Sequence, residues 1–272
     1  MRQLSRSFIA ILLLGSVLSN AVPLLAQTRH SLSFIPPDDH IGEPTNTGGG
    51  GSRGDRCLGD PMQDNAPLTI LAPKLSQISA IGSNIKFVRG GLTTDSFPSL
   101  FVYLPKTRAK MGEFVLIDRK MNREVYYKEL SLPEESGIIR FPIPIGLEEG
   151  TTYEWNFSLI CPEINDPELL RRYNSNSNES SLNPVVIGQI KRVSLTEELA
   201  AQMDEASLET KIELYGKAGL WYDFFALLTE GIARSSQLQA AWQNSLMRDI
   251  DPDGPIFQAP FLACCSLPSE GE

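Results

Sequence analysis

The stretch GGGGSRGDRC, residues 48 to 57, holds three patterns that could carry chemistry. Gly50-Gly51-Ser52-Arg53-Gly54 fits the G-x-S-x-G form of a hydrolase nucleophile, the glycine run suggests a phosphate cradle, and Arg53-Gly54-Asp55 is an adhesion tripeptide. A nucleophilic serine of this kind needs a strained strand-to-helix turn to expose its hydroxyl, and a histidine to take its proton. The 2 histidines, His30 and His40, both lie in a polar stretch ahead of the first apolar run, so Ser52 has no imidazole base inside a folded domain. A lysine base would need an S-x-x-K spacing, which does not occur near it. The glycine run lacks the Gly-Lys-Ser/Thr ending and the following helix that bind a phosphate. An adhesion tripeptide works only from a projecting loop offered to an integrin. The stretch therefore reads as a hinge through which the chain enters a domain anchored at Cys57.

Other residues with chemical potential resolve the same way. Asp249-Ile-Asp251-Pro-Asp253-Gly254 matches the first half of a calcium loop, but the twelfth position, where a bidentate Glu is required, is Pro260. Glu134-Glu135, Glu148-Glu149 and Glu197-Glu198 fall at turns or a helix start, where solvated acids are ordinary. Tyr103, Trp155, Trp221, Tyr222 and Trp242 could stack on sugar rings, yet each sits on an apolar stripe that marks core. No catalytic, cofactor or metal residue is expected. Of the 4 cysteines, Cys57 and Cys161 bracket the β-rich part of the chain, and a disulfide is predicted between them. It would close a loop of about 100 residues, worth about 4 kcal/mol in the chain-entropy model. Four cysteines allow three pairings. The neighbours Cys264 and Cys265 could bond to each other only in a strained ring, so an intermolecular bond, free thiols or one crosslink to the body stay open for them.

The ends and the charge bound the setting. Arg2 and Arg6, an uncharged apolar run from Phe8 to Leu18, and small residues at Ser19, Ala21 and Ala26 form the pattern of a secretory signal over 1–26, cut after Ala21 or Ala26. No later segment approaches the roughly 20 apolar residues that span a bilayer, so no membrane span is expected once the signal is gone. A periplasmic or secreted location follows, and four cysteines suit such an oxidising compartment. The net charge of -9 falls further when the two signal arginines leave, which argues against nucleic acid or anionic lipid as a partner.

The elements that position these residues follow from the pattern. Residues 27–56, rich in Gly, Pro, Ser and Thr, are expected to be a disordered leader. From 57 to 195, short runs of Val, Ile, Phe and Tyr are broken by turn residues every eight to twelve positions or so, the rhythm of an antiparallel β-sandwich or a barrel. Strands are predicted at 68–71, 85–88, 99–104, 112–118, 124–132, 138–142, 153–161 and 185–194. In YEWNFSLIC, Tyr153, Trp155, Phe157, Leu159 and Cys161 share one face, so that face is core. Tyr153 stands behind Leu147-Glu-Glu-Gly150 at the spacing of a tyrosine corner, which favours an immunoglobulin-like sandwich. From 196 to 250 the period becomes helical: a capping box at Ser194 to Glu197, then apolar stripes that give four short helices. Residues 251–272 read as a tail.

Together, Gly-Gly-Ser-Arg-Gly before Cys57, Gly91-Leu-Thr-Thr before FPSLFVYLP, EFVLID, L-x-x-G-x-x-Y-x-W-x-F ending at Cys161, Gly188-x-Ile-x-Arg192 and GLWYDFF at 219–225 resemble the cyanobacterial secreted proteins of domain-of-unknown-function family 928. Asp55-Arg56 before Cys57 and the pair Phe224-Phe225 depart locally from that pattern. The resemblance implies an envelope location and no reaction. Residues and resemblance combine into one expectation: a non-enzymatic exported envelope protein acting as a protein-binding or structural module. The competing readings are a carbohydrate-binding module and a carboxylate-dependent envelope hydrolase. An envelope protein would be met at the helix carrying Trp221, Tyr222, Phe224 and Phe225, whose aromatic mass exceeds what a short surface helix needs, unless that helix docks internally.

Overall fold

A computed structural model describes residues 32–37, 56–61, 66–78, 85–163, 166–167, 183–250 and 255–264. The expected signal sequence, both histidines, the Ser52 motif, the adhesion tripeptide, Asp251, Asp253 and Cys265 lie outside the described residues.

Among the described residues, ten strands form two sheets. In chain order they are β1 (Thr69–Ile70), β2 (Lys74–Ile78), β3 (Ile85–Thr93), β4 (Ser99–Leu104), β5 (Met111–Asp118), β6 (Arg123–Ser131), β7 (Gly137–Pro142), β8 (Thr152–Ile160), β9 (Val185–Arg192) and β10 (Phe261–Leu262). One sheet runs β1-β4-β7-β10 and the other β2-β3-β9-β8-β5-β6, and neither closes into a barrel. β1, β4 and β7 occupy the places of immunoglobulin strands A, B and E, while β5, β6, β8 and β9 occupy those of C, C′, F and G. β3 pairs in parallel with β9, so the leading part of the chain contributes to both sheets.

Period-2 patterning decides which side is core. Along β5 and β8 every second residue is buried, with Phe114 and Leu116 of one strand and Tyr153, Trp155, Phe157 and Leu159 of the other facing inward. Tyr153 makes the expected corner, its hydroxyl accepting the Glu148 backbone N–H at 3.0 Å. Cys57 and Cys161 are disulfide-bonded with Cα atoms 5.5 Å apart, tying the chain ahead of β1 to the end of β8.

Four helices follow: α1 (Glu197–Met203), α2 (Leu208–Lys217), α3 (Trp221–Gly231) and α4 (Ser236–Ser245), the last continuing into a π-helical turn at Leu246–Ile250. The first cap differs from expectation. Thr196, not Ser194, accepts from the Leu199 backbone N–H, and Ser194 instead bonds Glu149. One continuous core joins the sandwich to α2, α3 and α4, because Ile212, Trp221, Phe225, Leu238 and Trp242 cluster with residues from both sheets.

Both chain ends depart from the sequence reading. Within the expected leader, residues 32–37 are packed: Leu32 and Phe34 alternate inward and are buried against the helical region. Within the expected tail, Pro255–Gln258 forms a 3-10 turn and β10 pairs in parallel with β7. Gly137 leaves room for that pairing, since a Cβ there would lie 2.7 Å from Leu262 Cγ. Leu32 and Phe34 alternate in the first segment, Ile256-Phe257 and Phe261-Leu262 form adjacent apolar pairs in the second, and a composition average over a polar stretch conceals both signals. Cys264, at the end of this strap, is disulfide-bonded, which removes the free-thiol alternative for it.

Candidate functional site

The residues singled out by sequence converge where α3 enters the sandwich. Just past the end of α2 stands Gly219, whose φ of +70° is a left-handed conformation that other residues rarely adopt, and the chain turns at once into α3. The helix start has no side-chain cap on Leu220. Instead the carboxylate in its first turn, Asp223, reaches across to β3's exit, accepting the Thr94 backbone N–H at 3.1 Å and the Thr94 hydroxyl at 2.7 Å. A helix N-terminus favours a carboxylate, yet burial pushes the Asp223 pKa up, with the threonine donors of 93 and 94 opposing that rise. The Tyr215 hydroxyl also meets Thr94 and is raised by its own burial and then by the Asp223 charge.

The aromatic residues of α3 are bonded from both sheets. Trp221 Nε1 donates to the Leu71 carbonyl at 3.0 Å. Tyr222 donates to the Gln189 carbonyl at 2.9 Å and accepts from Trp155 Nε1 at 3.2 Å, and its burial raises its pKa. Phe225 lies edge-on to Phe101 of β4, centroids 5.1 Å apart, and stacks on Trp221. Three glycines make the approach close enough. A Cβ on Gly91 would stand 2.5 Å from Trp221 Cβ, one on Gly188 2.5 Å from the Trp155 ring, and one on Gly90 would strike the Gln189 carbonyl.

This geometry answers the expectation of an external groove at α3. Trp221, Phe224 and Phe225 are 0% exposed and Tyr222 2%, so all four rings are buried within this chain. The resemblance motifs assemble here too. Gly91-Leu-Thr-Thr meets Asp223 and Trp221, Gly188 receives Trp155, and Arg192 holds the Leu147 carbonyl at 2.8 Å beside the tyrosine corner. A family model described as Domain of Unknown Function (DUF928) matches residues 48–254. The chain belongs to that family. No curated protein and no solved structure matches it.

In this DUF928 domain the buried carboxylates hold turns. Asp60 accepts from the Cys57 and Arg108 amides, and Asp118 from the Lys120 and Met121 amides. Of the paired surface acids, Glu134 meets Lys110, Glu135 meets Lys106, and Glu197 and Glu198 open α1. Asp249 of the calcium-loop pattern pairs with Arg248. Among the described residues no three His, Cys, Asp or Glu side chains gather to hold a metal ion, and no helix is long and apolar enough to cross a membrane.

A second constellation, absent from the sequence reading, lies on the outer face of the six-stranded sheet of the DUF928 domain. Register brings Glu113 opposite Glu129 on β6 and Ser158 on β8, and Val115 opposite Tyr127 and Asn156, with Ile187 beyond. Tyr127 shares its hydroxyl between Glu113 at 3.1 Å and Glu129 at 3.2 Å, while Ser158 donates to the other Glu113 oxygen at 3.2 Å. Loss of solvent around the hydroxyl, then the bonds and charges of the two carboxylates, push the Tyr127 pKa up to about 12. The signal was available in the alternation of EFVLID and EVYYKEL, but which acids face each other depends on the β5–β6 register, and that shifts at Leu116/Ile117.

Proposed function

We propose that this protein is a non-enzymatic, exported binding module of the cell envelope, and that its protein partner lies across the outer face of the six-stranded sheet. One observation carries the reading: Val115, Ile117, Tyr127 and Ile187 share this face without being buried, Tyr127 being 45% exposed. On the opposite face of the same sheet Phe114, Tyr153, Trp155 and Phe157 are buried. Adjacent open apolar side chains on a sheet face are a recurring protein-binding surface. Glu113, Glu129 and Glu154 beside them suit a partner that is basic around an apolar patch. The Cys57–Cys161 bond is consistent with an oxidising compartment.

The test is crosslinking in the living envelope and affinity recovery of the tagged mature chain, compared with a Val115→Asp/Tyr127→Ala variant. The expected result is one enriched envelope protein that the variant fails to recover. Equal recovery by both forms, or recovery of no protein, would overturn the reading. Tyr127 between two carboxylates is also the arrangement that most favours the carbohydrate-binding alternative. Retention of the wild-type chain, and not of the variant, on cell-wall polysaccharide would establish that alternative.

A further inference from the structure

The docked segment Leu32–Pro37 is seated as a peptide ligand would be. It forms no helix or strand, yet Phe34 is 2% exposed and Leu32 8%, while Ile35 between the slot and solvent is 52% exposed. Phe34 is the anchor, edge-on to Trp221 with centroids 4.9 Å apart and against Phe224 at 6.0 Å. The backbone is held on both sides: Ile35 N–H donates to the Gly216 carbonyl at 2.9 Å, and Arg248 Nη2 donates to the Phe34 carbonyl at 2.8 Å. Arg248 is aimed by its pair with Asp249, both contacts at 2.8 Å. The slot is also shaped for a passing main chain. A Cβ on Gly216 would lie 2.6 Å from the Ser33 carbonyl oxygen, and one on Gly219 3.0 Å from the Pro37 ring. A buried aromatic anchor, main-chain hydrogen bonds and a following Pro36-Pro37 pair, which restricts the unbound peptide, are the elements of extended-peptide recognition.

The occupant is joined to the domain only through residues 38–55, and the family match begins at 48, behind the segment. Eighteen residues reach at most about 60 Å when extended. A domain of this size has a radius of gyration of about 17 Å. That length is enough to span to a slot on a neighbouring copy. Reciprocal exchange between two copies closes a dimer, whereas one-way exchange leaves a free slot at one end of the assembly and a free segment at the other.

We propose that the slot formed by Gly216, Gly219, Trp221, Phe224 and Arg248 is a docking site for the 32–37 segment, and that copies of this chain join when the segment of one seats in the slot of the next. The proposal concerns a surface separate from the sheet face and does not rest on it. In cis the effective concentration is in the millimolar range, so joining is favoured where copies are crowded.

The test uses two full-length mature chains with complementary defects. Phe34→Asp abolishes the anchor and leaves the slot open; Gly216→Ala closes the slot and leaves the segment intact. Each alone should remain monomeric by analytical ultracentrifugation, and their mixture should give a 1:1 heterodimer. Monomers only in the mixture, with both variants folded by circular dichroism, overturn the proposal. Should Phe34→Asp not fold, native mass spectrometry of the wild-type chain with a synthetic 30–38 peptide decides instead. One bound peptide per chain at millimolar concentration, absent with a Phe34→Asp peptide, supports exchange; no binding overturns it. Peptide binding with no heterodimer from folded variants overturns the joining of copies and leaves the slot as an intramolecular clamp.

Discussion

The two faces of the six-stranded sheet are built from the same strands and treated oppositely. Its inner face receives α3, and there the polar atoms of the buried rings are bonded: Trp155 to Tyr222, Tyr222 to Gln189, Trp221 to Leu71. Its outer face carries a mixture of half-open aliphatic residues, one exposed tyrosine and acids that bond to one another's neighbours. Among the described residues, the Asn156 side-chain oxygen on that outer face is buried without a hydrogen-bond partner. The difference teaches where function should be sought. A buried ring with a satisfied donor is part of the fold's stability, because exposing it would leave polar atoms unpaired, whereas an exposed ring among carboxylates contributes little to folding. The rings of the most distinctive sequence, GLWYDFF, are thus inside, and the outer sheet face is built from less distinctive strands.

The contrast breaks most sharply at Trp221. Replacing it with Ala removes a fully buried ring, its bond to Leu71, its edge-on contact with Phe34 and its stack on Phe225. The expected loss is about 3–5 kcal/mol, read as a lower denaturation midpoint in urea. A loss below about 1 kcal/mol would place α3 outside the cooperative core. Gly91→Ala tests the same contact from the other side, since its new methyl would meet Trp221 Cβ at 2.5 Å. Overpacking of this kind costs about 1–3 kcal/mol, and Trp221 fluorescence should shift as the helix is displaced.

Asp223→Asn sharpens the comparison through pH. The native carboxyl is raised above its unfolded value, chiefly by burial. Its stabilising contribution is therefore full below the ordinary Asp pKa of about 3.9 and is lost as pH rises through the native pKa. Asn keeps an oxygen for the Thr94 amide but does not titrate. The melting-temperature difference, variant minus wild type, should grow as pH rises from about 4, because other groups titrate alike in both chains and cancel. A difference that is flat with pH would show that Asp223 carries no raised pKa.

Much of this fold was legible because strands with one buried face must alternate. β4 matches its sequence-derived bounds, 99–104, residue for residue, β5 and β8 fall within one residue of theirs, and the tyrosine corner follows from the spacing of Leu147, Gly150 and Tyr153. The apolar stripes also located all four helices. What failed was local information that only tertiary contact interprets. β2, KLSQI, is short and half polar, and it becomes a strand through pairing with β3. SLSFIPP looks like linker until Gly216 and Arg248 give its backbone partners. The aromatic excess of α3 was visible, but its direction was not: periodicity separates buried from exposed faces and cannot tell a partner from the chain's own sheet. The outer-face row needed register, which sequence does not carry.

The smallest stability change is expected at Tyr127. Its ring is 45% exposed, and its hydroxyl bonds two exposed or half-exposed carboxylates that water can solvate equally well. Tyr127→Ala should therefore alter folding by no more than about 0.5 kcal/mol, the usual range for surface sites, even though it removes as many ring atoms as a core substitution. Two opposed acids lose the donor between them, which adds a small repulsion that salt should screen. If thermal unfolding instead shows a loss approaching that of Trp221→Ala, the outer face belongs to the core and some further part of the chain must cover it. If stability is unchanged while recovery of the envelope partner falls, the two faces divide as their burial indicates, one holding the domain together and the other meeting what lies outside it.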